Sequence, residues 1–127
     1  MIIENIRNFN IVRIENITKG TTLANQAKVA TKFWDRTKGL LGKDYLPQDT
    51  GLLIIPCSAI HTFFMRFPID VIFVNKRGLI VALRKSMKKF RYFSSNFQGY
   101  FVVELPINTL EITSTTIGDK IGVEALR

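Results

Sequence analysis

Apolar residues arrive in this chain as short runs broken by turn formers rather than as a long helical stripe, and that constrains its fold more than any other feature. Residues 11–17 alternate imperfectly between apolar and polar, as a half-buried first strand would, and 26–30 give a second. Residues 52–55 form an apolar run closed by Pro56; 63–65 and 69–74 follow as extended segments. Asn75, Lys76, Arg77 and Gly78 make a hairpin turn into 79–83, because glycine supplies the positive φ such turns need. Residues 100–105 are dense in β-branched and aromatic side chains, and Gly118 and Asp119 turn into a last strand at 120–123.

Helical signals are few. Thr31 is placed to cap a short helix in which Phe33, Trp34, Thr37, Leu40 and Leu41 recur at spacings of three and four. Residues 106–112 form a second short helix with proline in its first turn. Residues 84–99 are polar and aromatic without a clean period, which predicts a long, exposed basic connection with one short strand near 90–93. The expected architecture is a β-dominated α+β fold, a compact rolled sheet or small barrel with one or two short helices. At 127 residues it is expected to be a single domain, 1–127.

No apolar run approaches the roughly 18 residues of a membrane-spanning helix. The opening residues 1–7 carry Glu4 and lack the apolar stretch of about 7–15 that an export signal needs. With Cys57 as the sole cysteine, a soluble cytoplasmic protein without membrane association is expected.

Net charge is +8, and its placement is uneven: no acidic residue lies between Asp70 and Glu104, whereas Lys76, Arg77, Arg84, Lys85, Lys88, Lys89 and Arg91 all do. If these side chains share a face they form an anion patch; if not, they are solvated lysines and arginines guarding a strand edge.

Candidate chemistry concentrates in residues 56–74. Cys57 and His61, four apart, could pair a nucleophile with its base or supply two metal ligands. With no second Cys/His cluster, no metal is assigned, and Cys57 also reads as a small buried hydrophobe. His61 with Thr62 offers a titratable ring beside a hydroxyl, or a ring satisfied by main-chain carbonyls. Asp70, among apolar neighbours, needs a partner if buried, and Arg36 or Arg66 would serve in a structural ion pair. Phe90, Arg91, Tyr92, Phe93 and Tyr100 would suit base stacking, although no RNA-binding or helix-turn-helix signature accompanies them. Without a glycine-rich phosphate loop or a nucleophile elbow, no cofactor is expected.

Three segments in order, Arg36-Thr37-Lys38-Gly39-Leu40-Leu41-Gly42, Gly51-Leu52-Leu53-Ile54 and Ile60-His61-Thr62-Phe63-Phe64-Met65-Arg66-Phe67-Pro68-Ile69-Asp70-Val71, carry a resemblance. With Phe73, Gly78, Val102-Val103-Glu104-Leu105 and Gly118-Asp119, the chain resembles the domain of unknown function 192 family over about residues 28–123. Leu41 and Leu52 stand where many members have Met, and 62–67 depart from the usual Phe-Trp-Met-Lys-Asn. The resemblance implies a compact β-rich domain without a settled activity. Its shared polar positions, Arg36, His61, Thr62, Arg66, Asp70 and Glu104, are expected to converge on one cleft or buried network.

These readings predict a non-enzymatic binding or accessory domain that holds a small anionic ligand. Two alternatives are an enzyme using His61 as general acid or base, oriented by Asp70 or Glu104, and nucleic-acid binding through the basic aromatic segment 76–100.

Overall fold

A computed structural model describes residues 3–31, 45–61, 67–88 and 91–126. Nine strands appear among these residues: β1 (Ile11–Asn16), β2 (Thr21–Ala30), β3 (Thr50–Ile54), β4 (Ala59–His61), β5 (Ile69–Val74), β6 (Ile80–Met87), β7 (Tyr92–Ser94), β8 (Phe101–Pro106) and β9 (Ile121–Ala125). A 3-10 helix (Ile3–Asn8) precedes them and a short helix α1 (Thr109–Ile112) lies between β8 and β9. Seven strands form one curled, half-barrel sheet in the order β6-β5-β8-β3-β2-β1-β9; β4 and β7 pair as a separate ribbon. The β-dominated rolled sheet read from the sequence is therefore the fold. No helix among the described residues is long and apolar enough to cross a membrane.

Every pairing in the large sheet is antiparallel except β2 with β3. Strands β5 and β8 sit inside the sheet and are buried along their whole length, which is why their sequences are nearly continuous apolar runs. Side chains from all seven strands, including Ile14, Leu53, Ile72, Ile80, Phe101, Val103 and Ile121, meet on the inner face of the curl. Ile6 of the 3-10 helix and Leu110 of α1 close that core. On the outer face, Leu52, Ile54, Val71, Phe73 and Val102 pack beneath Ile60 and Phe93 of the β4–β7 ribbon.

At one corner the two edge strands meet. Leu79 bridges Lys120, the Ile80 amide donates to the Asp119 carbonyl, and the Ile121 amide donates to the Gly78 carbonyl. Asp119 anchors this corner with its carboxylate, which accepts from Asn16 Nδ2 at 2.8 Å, Lys19 Nζ at 3.0 Å and the Thr116 amide at 2.9 Å. Burial alone would push that carboxyl up, but the hydrogen bonds from Asn16, Thr116 and Lys19 outweigh it and hold the pKa at about 2.

The Asn75–Gly78 turn forms as the sequence predicts: Gly78 has φ 82, and Asn75 Oδ1 accepts from the amides of Arg77 and Leu79. Several bounds differ from expectation. Strand β2 begins at Thr21, and β6 continues to Met87, so the first part of the expected basic connection is sheet. The second predicted helix is only Thr109–Ile112, because Pro106 completes β8. The first predicted helix and the extended segment at 63–65 lie outside the described residues.

Candidate functional site

Asp70 is fully buried, and its partners are main-chain amides. Oδ1 accepts from the Ser86 amide at 2.8 Å and Oδ2 from the Leu110 amide at 3.0 Å. The β5–β6 register explains the first bond. Ile69 pairs with Met87 and Val71 with Arg84, so two residues of β6, Lys85 and Ser86, stand against Asp70. Such a bulge leaves an amide outside the ladder, and Ser86, at φ 52, donates that amide to the carboxylate. The second bond ties down the opening turn of α1, whose cap residue Asn108 makes no side-chain cap bond. Asp70's apolar neighbours predict a buried carboxylate in need of a partner, with Arg36 or Arg66 the charged candidates. Amides, which every residue carries, leave no such signal.

Glu104 is also buried, at 1 % exposure, but elsewhere. In the β5–β8 ladder Asp70 pairs with Leu105 and Val71 with Glu104. Directly opposed residues share a face and neighbours alternate. Asp70 therefore faces the inner core with Leu105 and Ile72, whereas Glu104 faces the outer layer with Leu52, Val71 and Phe73. The two carboxylates do not share a cleft, and that part of the expected convergence is corrected. His61 lies on β4 opposite Tyr92. The side chains of His61, Arg36, Thr62 and Arg66 lie outside the described residues.

Among the described residues, Arg84 and Lys85 leave the basic run in different directions. Arg84 lies over the Phe93 ring, 4.7 Å from its centroid, on the outer layer. Lys85 turns to α1 and pairs with Glu111 at 2.7 Å. Arg77 offers its carbonyl to Lys120 Nζ in the hairpin turn. Lys88 and Arg91 are exposed and engaged in interactions of their own, and Lys89 lies outside the described residues.

What the fold does assemble is a cleft of about 320 Å³ between the β3–β4 and β7–β8 connections, lined by Pro56, Cys57, Ser58, Phe97, Gly99 and Tyr100. The Cys57 amide donates to the Tyr100 carbonyl at 2.8 Å, and the Tyr100 amide donates to Val74 at 2.8 Å, so one connection is laid across the start of β8. Cys57 Sγ contacts the Ala59 carbonyl at 3.1 Å.

Tyr100 gathers two cations. Lys76 Nζ stands 5.0 Å from its ring centroid and the Arg7 guanidinium 5.9 Å, with Arg7 also donating to the phenolic oxygen at 3.0 Å. Neither Arg7 nor Lys76 has a carboxylate partner among the described residues. Because the Tyr100 oxygen accepts from Arg7, its own proton remains to be donated.

A family profile matches residues 14–123. The chain belongs to the domain of unknown function 192 family, described as "Uncharacterized ACR". The match begins earlier than the motifs read from the sequence, so β2 and the second half of β1 fall within the family's domain. A UPF0127 protein of Thermococcus sibiricus is 30 % identical, with 86 % of this chain and 73 % of that protein covered. One of Pyrococcus furiosus is 29 % identical, covering 84 % and 93 %. Two crystal structures share the fold. One, from Sinorhizobium meliloti and described as a candidate transcription regulator, has TM-score 0.76 and 19 % identity over 89 % of this chain and 92 % of that one. The other, a protein of unknown function from Novosphingobium aromaticivorans, has TM-score 0.74 and 17 % identity over 88 % and 83 %.

In this member of the domain of unknown function 192 family, sequence reasoning considered Cys57 and Tyr100 separately and passed over Arg7, Ser58 and Gly99. Their positions span residues 7 to 100, and the 3-10 helix, the turn out of β3 and the turn into β8 bring them together.

Proposed function

We propose that this protein is a cytoplasmic, non-enzymatic binding domain for a small anionic ligand, held in the cleft beside Tyr100. The convergence of Arg7 and Lys76 on one tyrosine ring, with no carboxylate to neutralise them among the described residues, carries this reading. Two like charges drawn to the same ring repel each other, and an anion at the cleft's rim relieves that repulsion while accepting charge-assisted bonds from both. Ser58 and Tyr100, both lining the cleft, each carry a hydroxyl able to donate. Asp70 takes no part, since it is fully buried within the sheet with each oxygen accepting a main-chain amide.

The test is calorimetric titration with inorganic phosphate and ribose 5-phosphate. Arg7→Ala and Lys76→Ala should each weaken binding at least about tenfold, the effect of one lost charge-assisted bond. Unchanged affinity in both variants would reject the site. His61→Ala tests the alternative placement of the same activity around His61, Thr62 and Arg66; loss of binding there alone would move the site to those residues.

One observation favours nucleic acid as a second reading: Tyr92 on the β4–β7 ribbon and Phe97 just beyond it are 69 % and 93 % exposed, and the exposed Arg91 immediately precedes β7. The description of the Sinorhizobium meliloti fold relative as a candidate transcription regulator agrees with it. Oligonucleotide affinity should then fall steeply with salt and weaken for all sequences alike in Lys88→Glu.

A further inference from the structure

Phe97 is the most exposed large apolar side chain among the described residues, at 93 %, yet it forms a wall of the cleft. Its backbone stands at φ 64, directly after Asn96 at φ 54. A bulky residue in that region is uncommon and strained, and with its ring in water it gains no packing in return. The segment is nonetheless firmly held. Buried Ser95 donates its hydroxyl to the Ser58 carbonyl at 2.7 Å, accepts from the Gly99 amide at 2.9 Å, and gives its own amide to the same Ser58 carbonyl at 2.8 Å. The Gln98 amide closes the turn onto the Ser95 carbonyl. The ring is therefore displayed by a clamped turn, in a cleft whose other aromatic ring already carries two cations.

Resting on the anion-binding reading above, we propose that the ligand is a mononucleotide, its base stacked on Phe97 and its phosphate held by Arg7, Lys76 and the Tyr100 hydroxyl. A ligand flat and aromatic at one end and anionic at the other fits this pair of walls, since Phe97 lines the cleft with an exposed ring and Tyr100, which also lines it, is approached by Arg7 and Lys76. Its volume of about 320 Å³ is at the lower end of ligand clefts and suits a single nucleotide rather than a longer chain. Stacking on one face accepts any of the four bases, because every base presents a π-face.

The deciding experiment titrates the intact protein with the four ribonucleoside monophosphates, ribose 5-phosphate, inorganic phosphate and a short oligonucleotide, followed by calorimetry. Each monophosphate should bind about tenfold or more tightly than ribose 5-phosphate. Phe97→Ala should bring the monophosphates down to the ribose 5-phosphate level while leaving ribose 5-phosphate unchanged, and Phe97→Tyr should restore the difference. Equal affinity for ringed and ringless phosphates, with Phe97→Ala silent, would overturn the mononucleotide and leave the anion reading standing. No binding of any phosphate would overturn both. An oligonucleotide binding far more tightly than any monophosphate would also overturn the proposal in favour of a polymer. Phe97→Ala should keep the wild-type melting temperature, because the ring is in water; a variant that melts early and loses ribose 5-phosphate as well would show Phe97 to be a structural residue.

Discussion

Replacing Asp70 by asparagine tests the structural role of the buried carboxylate with almost no change of shape. The carboxylate serves two amides, those of Ser86 and Leu110, with one oxygen each. Asparagine keeps a single acceptor, so its NH2 group must face one of these N–H groups, donor against donor. A buried hydrogen bond to a charged acceptor contributes about 1.5–3 kcal/mol, and leaving a buried donor unsatisfied costs about 1–3 kcal/mol. One bond survives in a weaker neutral form, so the expected loss is about 3–4 kcal/mol. Against a typical domain stability of about 5–15 kcal/mol the variant still folds, and its melting temperature should fall by about 10–15 °C. Urea denaturation followed by circular dichroism measures the loss, and amide exchange should quicken at Ser86 and Leu110 before the rest of the sheet. A loss below about 1 kcal/mol would refute the assignment. Retained stability with lost phosphate binding would return Asp70 to the ligand site.

The remaining predictions concern the sheet corner and the cleft. Asp119, held at about 2 against an ordinary 3.8, stabilises the fold above pH 4, and this contribution of about 2 kcal/mol is lost as pH falls from 4 towards 2. Asp119→Asn should flatten the acid limb of a stability–pH profile in that window; an unaltered limb would show that other carboxylates govern it. A methyl group at Gly99 would stand 2.9 Å from Ser95 Oγ and 3.0 Å from Phe73 Cδ1, so Gly99→Ala should destabilise by about 1–3 kcal/mol and abolish phosphate binding in calorimetry. Ser95→Ala removes the hydroxyl between Gly99 and Ser58 and should lower stability by about 1–2 kcal/mol in urea, with faster exchange at the Gly99 amide.

The parts of the fold legible in the sequence are those in which neighbouring residues carry the cause. Asn75 and Gly78 announce the hairpin because the turn needs an Asx acceptor and a positive φ. Strands β5 and β8 announce themselves because burial on both faces leaves no room for alternation. The three-residue strand β4 is too short to show a period, and what makes it a strand is β7, thirty residues on. The full extent of β6 is hidden because a bulge at Lys85 and Ser86 breaks its pattern, and the residue that repairs the bulge, Asp70, lies on another strand. Asp70 and Glu104 read alike as lone acids in apolar runs. Only the register between β5 and β8 sends them to opposite faces.

The order of the large sheet also bears on how the protein is made. Strand β8 joins β3 to β5 at the middle of the sheet, yet it comes after both of them in the chain. A nascent chain leaving the ribosome can pair β1, β2 and β3 as one ladder and β5 with β6 as another, but until residues 101–106 emerge the two ladders remain unjoined. During that interval the edges of β3 and β5, both destined for the interior, are open to any passing strand. The sheet thus becomes one structure only late in synthesis, and a ribosome stalled between β6 and β8 would present a chaperone with two sticky half-sheets rather than a partly built barrel.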